Sequence, residues 1–129
     1  CGASHALMAF ETVVMEPEDF EAWLEAEARN ATPPQTQSAT RGAQVFAREG
    51  CGSCHTVRGT QAVGRVGPDL THVGSRLSLG AGILGVEPVD FANWIAHTET
   101  LKPEVAMPSY DHLSPDDLTA LAAYLGGLE

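Results

Sequence analysis

Apolar residues recur at helical spacing in four places along the chain, and each is bracketed by start or stop residues. Pro17 opens the first helix, predicted over 17–30. Glu18 and Asp19 lie in its first turn, where negative charge suits the helix dipole, and Phe20, Trp23 and Leu24 share one face. A second helix is predicted over 40–49, with Ala43, Phe46 and Ala47 on one face and Gly50 as its stop. The third spans 89–98 behind Pro88, with Phe91, Trp94 and Ile95 together. The last has the clearest start: Ser114 as N-cap, Pro115 next, then Asp116 and Asp117. Leu118, Leu121, Ala122 and Leu125 form its buried face, and Gly126 and Gly127 end it. Gly67-Pro68-Asp69-Leu70 predicts a short helix ending at Gly74. Two segments read otherwise: the β-prone run 10–15 predicts a strand, and 57–66, with β-prone ends around a turn-like middle, predicts a small hairpin.

Between the first two helices, residues 31–38 are polar, contain Pro33 and Pro34, and show no apolar period, which predicts a linker. It separates an N-terminal piece, 1–30, from a C-terminal domain, 39–129. One strand and one helix cannot enclose a core. The N-terminal piece is therefore expected to be the end of a larger domain, and a chain that opens on Cys1 is expected to begin inside a longer precursor.

Charge narrows the function classes. Seven Lys and Arg oppose seventeen Asp and Glu, for a formal charge of −10 over 129 residues. Lys102 is the one lysine. Residues 1–38 carry −6 of this charge and 39–129 carry −4. Nucleic acid is excluded as a partner, since phosphate contacts need basic residues, and so is unaided docking on an anionic membrane. With 43% hydrophobic residues the chain can fold, yet no apolar run is long enough to cross a bilayer.

Three cysteines is an odd number, so each is read by its spacing. Cys51-Gly52-Ser53-Cys54-His55 is the attachment pattern of c-type haem. Two thioether bonds reach two former vinyl groups on one edge of the ring, and the next residue, His55, is held beneath the iron as proximal ligand. A zinc site would need two further ligands, and a thioredoxin-like dithiol would need a βαβ context. Met107, before Pro108 in the loop ahead of the last helix, is the candidate sixth ligand. Its thioether would raise the iron potential and close the site. The plainer reading of Met107 is core filler, and His72, His97 and His112 are the competing ligands.

These residues carry a resemblance. Gly42-x-x-x-Phe46, Cys51-x-x-Cys54-His55, Gly67-Pro68-Asp69-Leu70, Met107-Pro108 and Ala123-Tyr124-Leu125 make residues 41–129 similar to a class I cytochrome c domain. The resemblance implies an all-α fold around one covalent haem c, with first and last helices crossing where Gly42 meets Tyr124. It implies that the Pro68 carbonyl accepts from the His55 ring, and that Trp94 and Arg76 bond the haem propionates. Core packing for Trp94 and a solvated charge for Arg76 are the plainer alternatives.

Cys1-Gly2-x-x-His5-x-x-Met8 resembles the last part of the copper A motif in subunit II of haem–copper oxidases. The stretch 64–76 resembles the caa-type subgroup, in which subunit II carries a fused cytochrome domain. The upstream His and Cys of that motif are not in this sequence. Cys1, His5 and Met8 are therefore expected to ligate copper A in a full-length parent only. The implied function is electron transfer: from a soluble donor (a cytochrome c or an iron–sulfur protein) to the haem, then to copper A, beside the other oxidase subunits on the periplasmic face. With Lys102 alone, docking through a lysine ring is not expected. A free-standing periplasmic cytochrome, or the haem subunit of another oxidoreductase, is the alternative. Catalysis at the iron, as a peroxidase or gas sensor, would require an open sixth position.

Overall fold

Four α-helices form where the apolar period predicts them: α1 (Pro17–Glu27), α2 (Gln37–Arg48), α3 (Pro88–Leu101) and α4 (Pro115–Gly126). They are seen in a computed structural model that describes residues 2–129, so Cys1 lies outside the described residues. Short 3-10 turns cover Gly2–Leu7, Cys51–Ser53 and Val73–Ser75. No described helix is long and apolar enough to cross a membrane.

The caps explain the boundaries. The Thr36 side chain accepts the Ala39 N–H at 3.0 Å, so α2 starts at Gln37, ahead of its predicted start and inside the polar stretch. Ser114 caps α4 by accepting the Asp117 N–H at 3.2 Å. Asp90 does the same for α3, accepting the Glu87 N–H at 3.0 Å.

The main helix contact is α2 against α4, followed by α3 against α4. Val45 and Phe46 of α2, Phe91 and Ile95 of α3, and Leu121, Tyr124 and Leu125 of α4 share one core with Val57, Val73, Leu79 and Leu113 from the loops. Phe46 meets Tyr124 edge-on, with ring centroids 5.6 Å apart. The α2–α4 crossing is close because Gly42 has no side chain: a Cβ there would lie 2.0 Å from the Ala120 carbonyl oxygen and 2.6 Å from Tyr124 Cβ. This is the class I cytochrome c fold that the motifs imply.

Charge reinforces the same crossing. Asp117 accepts from Arg41 at 2.8 Å and Arg48 at 2.9 Å, and Arg48 also reaches Glu49 at 2.8 Å. Hydrogen bonds from Arg48 and then Arg41 hold the Asp117 carboxyl below its ordinary value. Arg48 and His112 do the same for Glu49. A carboxyl whose folded pKa is depressed stabilises the fold above its unfolded pKa and loses that contribution as pH falls through the folded one. The melting temperature is therefore expected to fall as pH drops below the ordinary carboxylate range. Asp117→Asn should melt lower than wild type at neutral pH, with the two curves converging in acid. Parallel curves down to low pH would refute this.

Three local readings are corrected. Residues 10–15 form no strand, because β-prone residues need a paired neighbour and none runs beside them among the described residues. Phe10 and Val14 are 89% and 91% exposed. The short helix at 67–74 is replaced by side-chain bonding: Asp69 accepts both the N–H and the hydroxyl of Thr71, and Thr71 accepts the Arg58 N–H at 2.9 Å. These bonds outcompete the helical ladder and leave only the turn Val73–Ser75. The hairpin over 57–66 reduces to one bridge, Thr56 to Val63.

The N-terminal piece lies against the rest. Ala3 N–H donates to Glu104 Oε2 at 2.9 Å, buried Ser4 donates its hydroxyl to the Pro103 carbonyl at 2.6 Å, and Ala9 N–H donates to the Ala81 carbonyl at 2.8 Å. Ala81 and Glu104, at φ 66° and 64°, are the two described non-glycine residues in left-handed backbone. Arg58 donates to the Glu27 carbonyl at the C-terminal end of α1, where a cation is favoured. Phe20, Trp23 and Leu24 share a face as predicted, but that face stays half exposed.

Candidate functional site

Gly50 ends α2 and turns the chain into Cys51–Ser53, so the Cys-x-x-Cys-His run is carried by the end of the α2 that crosses α4. His55 N–H and Cys54 N–H both return to the Cys51 carbonyl, at 3.0 and 3.1 Å. The excursion 57–66 then folds back beneath the run. Gly64 N–H donates to the Gly52 carbonyl at 3.0 Å, and Gly67 N–H to the Cys54 carbonyl at 2.8 Å.

This return places Pro68 beside the histidine. His55 Nδ1 lies 2.8 Å from the Pro68 carbonyl oxygen. A carbonyl can only accept, so Nδ1 carries the proton and Nε2 keeps its lone pair for a metal. The ring sits directly over Gly67, where a Cβ would come within 2.4 Å of His55 Cε1.

The Cys51 sulfur suits a thioether better than a thiolate. Cys51 and Cys54 are both free. Burial pushes the Cys51 thiol up to about 11, which disfavours the anion that zinc binding or dithiol chemistry requires. A neutral thioether carries no such cost. The half-buried, core-packed Cys51, the oriented imidazole and the exposed Cys54 thus fit covalent haem.

Met107 packs partly buried against the core in the loop between α3 and α4. Two of its three competitors are engaged elsewhere. His72 Nε2 donates to the Arg29 carbonyl at 3.1 Å, His112 Nε2 pairs with Glu49 at 3.3 Å, and His97 is exposed on α3. Trp94 is partly buried, with its ring against the Gly80 backbone. Arg76 donates to the Asp69 carbonyl at 2.6 Å and lines a cleft of about 950 Å³ whose walls also include Phe20, Trp23, Arg58 and His72. Burial alone would raise the Asp69 carboxyl, but bonds from Thr71, with Arg58 and Arg76 nearby, hold it low. His5 and Met8 are exposed, in and just after the first 3-10 turn.

Sequence reasoning passed over Thr98. This residue is fully buried and bonds the Met107 carbonyl at 2.9 Å. Its signal was available: Thr98 follows Trp94 by four residues and Ile95 by three, so a hydroxyl sits on an apolar face.

The family model for cytochrome c matches residues 39–129. The whole chain is 36% identical, over 129 residues, to cytochrome c oxidase subunit 2 of Alkalihalophilus pseudofirmus. It is 29% identical, over 133 residues, to cytochrome c oxidase subunit 2 of Bacillus sp. (strain PS3). Each comparison covers 100% of this chain and 37% of the relative, so the chain spans little more than a third of the length of these curated relatives. Fold, motif geometry and family match agree: the chain belongs to the cytochrome c family.

Proposed function

We propose that this chain is the electron-transfer haem c domain of a terminal oxidase subunit II, with the end of a copper A domain at residues 1–30 and a connection at 31–38. The observation that carries the reading is His55 Nδ1 held at 2.8 Å by the Pro68 carbonyl directly after a Cys-x-x-Cys run. Similarity to oxidase subunit 2 across the entire chain, the first residues included, extends it to the parent and favours it over a free-standing cytochrome.

In this reading Cys51 and Cys54 would hold the haem by thioethers, and His55 and Met107 would ligate its iron. The bound haem supplies a one-electron ferric/ferrous couple. The protein's own work is to orient and to exclude water. Pro68 fixes the imidazole tautomer, and Leu79, Phe91 and Ile95 contribute apolar surface to the core. Trp94 and Arg76 are the proposed propionate partners, with one of the five Arg76 N–H donors engaged by Asp69.

The proposed donor is soluble, a cytochrome c or an iron–sulfur protein, and the proposed acceptor is copper A in the full-length parent, where Cys1, His5 and Met8 would be ligands. The contacts of Ala3 and Ser4 with Glu104 and Pro103 put the segment bearing His5 and Met8 beside the loop that leads to Met107. That proximity supports an intramolecular second step. The exposed Phe10, Val14 and Phe20 support burial of this piece against more of the same subunit. The proposed location is the periplasmic face, with the parent membrane-anchored among other oxidase subunits.

Metal analysis with absorption spectroscopy tests the reading. One covalent haem c and no copper is expected for this chain, and copper in addition for the full-length subunit. A chain that binds no haem when expressed with the haem-attachment machinery, or a full-length subunit without copper, would overturn it.

A further inference from the structure

The α3 helix is broken at His97, whose backbone leaves the helical region at φ −134° and ψ 33°. The break redirects hydrogen bonds toward the loop that carries Met107. The Ile95 carbonyl accepts the Tyr110 N–H at 2.9 Å, and Glu99 N–H donates to Ser109 Oγ at 3.3 Å. In an unbroken helix those two helical groups, four residues apart, would bond each other. Between them sits Thr98, with 0% exposure. Its hydroxyl lies 2.9 Å from the Met107 carbonyl oxygen and 3.2 Å from Ser109 Oγ.

The donor assignment closes in one direction. A carbonyl can only accept, so the Thr98 proton goes to Met107. Ser109 must then donate to Thr98, and its own oxygen is free to accept from Glu99 N–H. The chain Glu99 N–H to Ser109 to Thr98 to the Met107 carbonyl is fully satisfied and polarised along its length. Pro108, inside the clamped segment, has a locked φ and no N–H of its own.

We propose that Thr98 is a positioning residue that fixes the backbone of Met107 and so holds its thioether in place as distal ligand. This rests on the reading of Met107 as that ligand. Loss of the hydroxyl leaves the Met107 carbonyl without its buried donor and lets the loop swing more often, so outside ligands compete better for the iron.

The test is imidazole titration of the haem-loaded ferric protein, followed by the sulfur-to-iron charge-transfer band, with guanidinium unfolding in parallel. Thr98→Val, close in shape, is expected to bind imidazole about tenfold more tightly, the size of one buried hydrogen bond. Thr98→Ser restores the hydroxyl and is expected to return near wild type. A lower unfolding midpoint with unchanged imidazole affinity would make Thr98 merely structural and overturn the proposal. If Thr98→Val fails to accumulate, Ser109→Ala removes the donor behind Thr98 and should tighten imidazole binding by about threefold. No change there overturns the proposal equally. A wild-type protein without the sulfur–iron band, or a Met107→Ala variant that retains it, would instead sink the Met107 reading and the proposal with it.

Discussion

Met107→Ala is expected to abolish the sulfur-to-iron charge-transfer band and to lower the reduction potential by about 0.2 V, a fraction of the roughly 0.8 V over which axial ligands set haem potentials. A thioether is a weak donor that favours ferrous iron. In the proposed site its removal would admit water or an exogenous ligand and open the sixth position. Potentiometry and carbon monoxide binding to the ferrous variant read both consequences. The fold should survive, because Met107 is only partly buried and its loop is still held through Ile95, Thr98 and Ser109. An unchanged potential would return Met107 to the role of core filler and reopen the choice of sixth ligand.

Gly42→Ala is the second large effect, and it acts on stability. Two terms compete. Alanine in a helix interior gains about 1 kcal/mol over glycine. Against this, the new Cβ would fall 2.0 Å from the Ala120 carbonyl oxygen, a backbone atom of a helix that cannot rotate away. Overpacking of that kind costs about 3 kcal/mol or more. The net loss is therefore about 2 kcal/mol, which for a domain of this size lowers the melting temperature by roughly 10 °C. Haem incorporation should fall with it, since α2 ends at the Cys51–His55 run and α4 holds α2 in place. Thermal melts of the haem-loaded protein measure the first effect, and the ratio of haem to protein the second. Wild-type melting would mean the α2–α4 crossing widens without penalty.

Most of the helical framework was legible because its signals are local. Ser114 and Pro115 start α4 where the sequence reading starts it, and Pro17 and Pro88 open α1 and α3. Two of the differences come from competing or absent partners. Residues 10–15 have strand composition and no strand neighbour. Residues 67–74 have a helix-start motif, but Asp69 and Thr71 are recruited by each other and by Arg58, thirteen residues before Thr71. The early start of α2 has a local cause, the Thr36 cap inside a polar stretch.

The candidate site divides in the same way. Covalent haem chemistry depends on a spacing of a few residues, so the proposed haem-binding set Cys51, Cys54 and His55 can be read in a single pass along the chain. The acidity, too, is a property of the sequence alone, and it argues against a nucleic-acid partner. What only the tertiary structure decided is which groups meet across long separations. It brought the Pro68 carbonyl onto His55, occupied His72 and His112 with Arg29 and Glu49, and seated the first residues on Pro103 and Glu104. It also joined Thr98 to Met107, nine residues on, through a break in α3 that no propensity announces. The physical reason is that spacing, caps and periodicity are properties of neighbours in the chain. A hydrogen bond between distant groups exists only once packing has closed the loop that separates them.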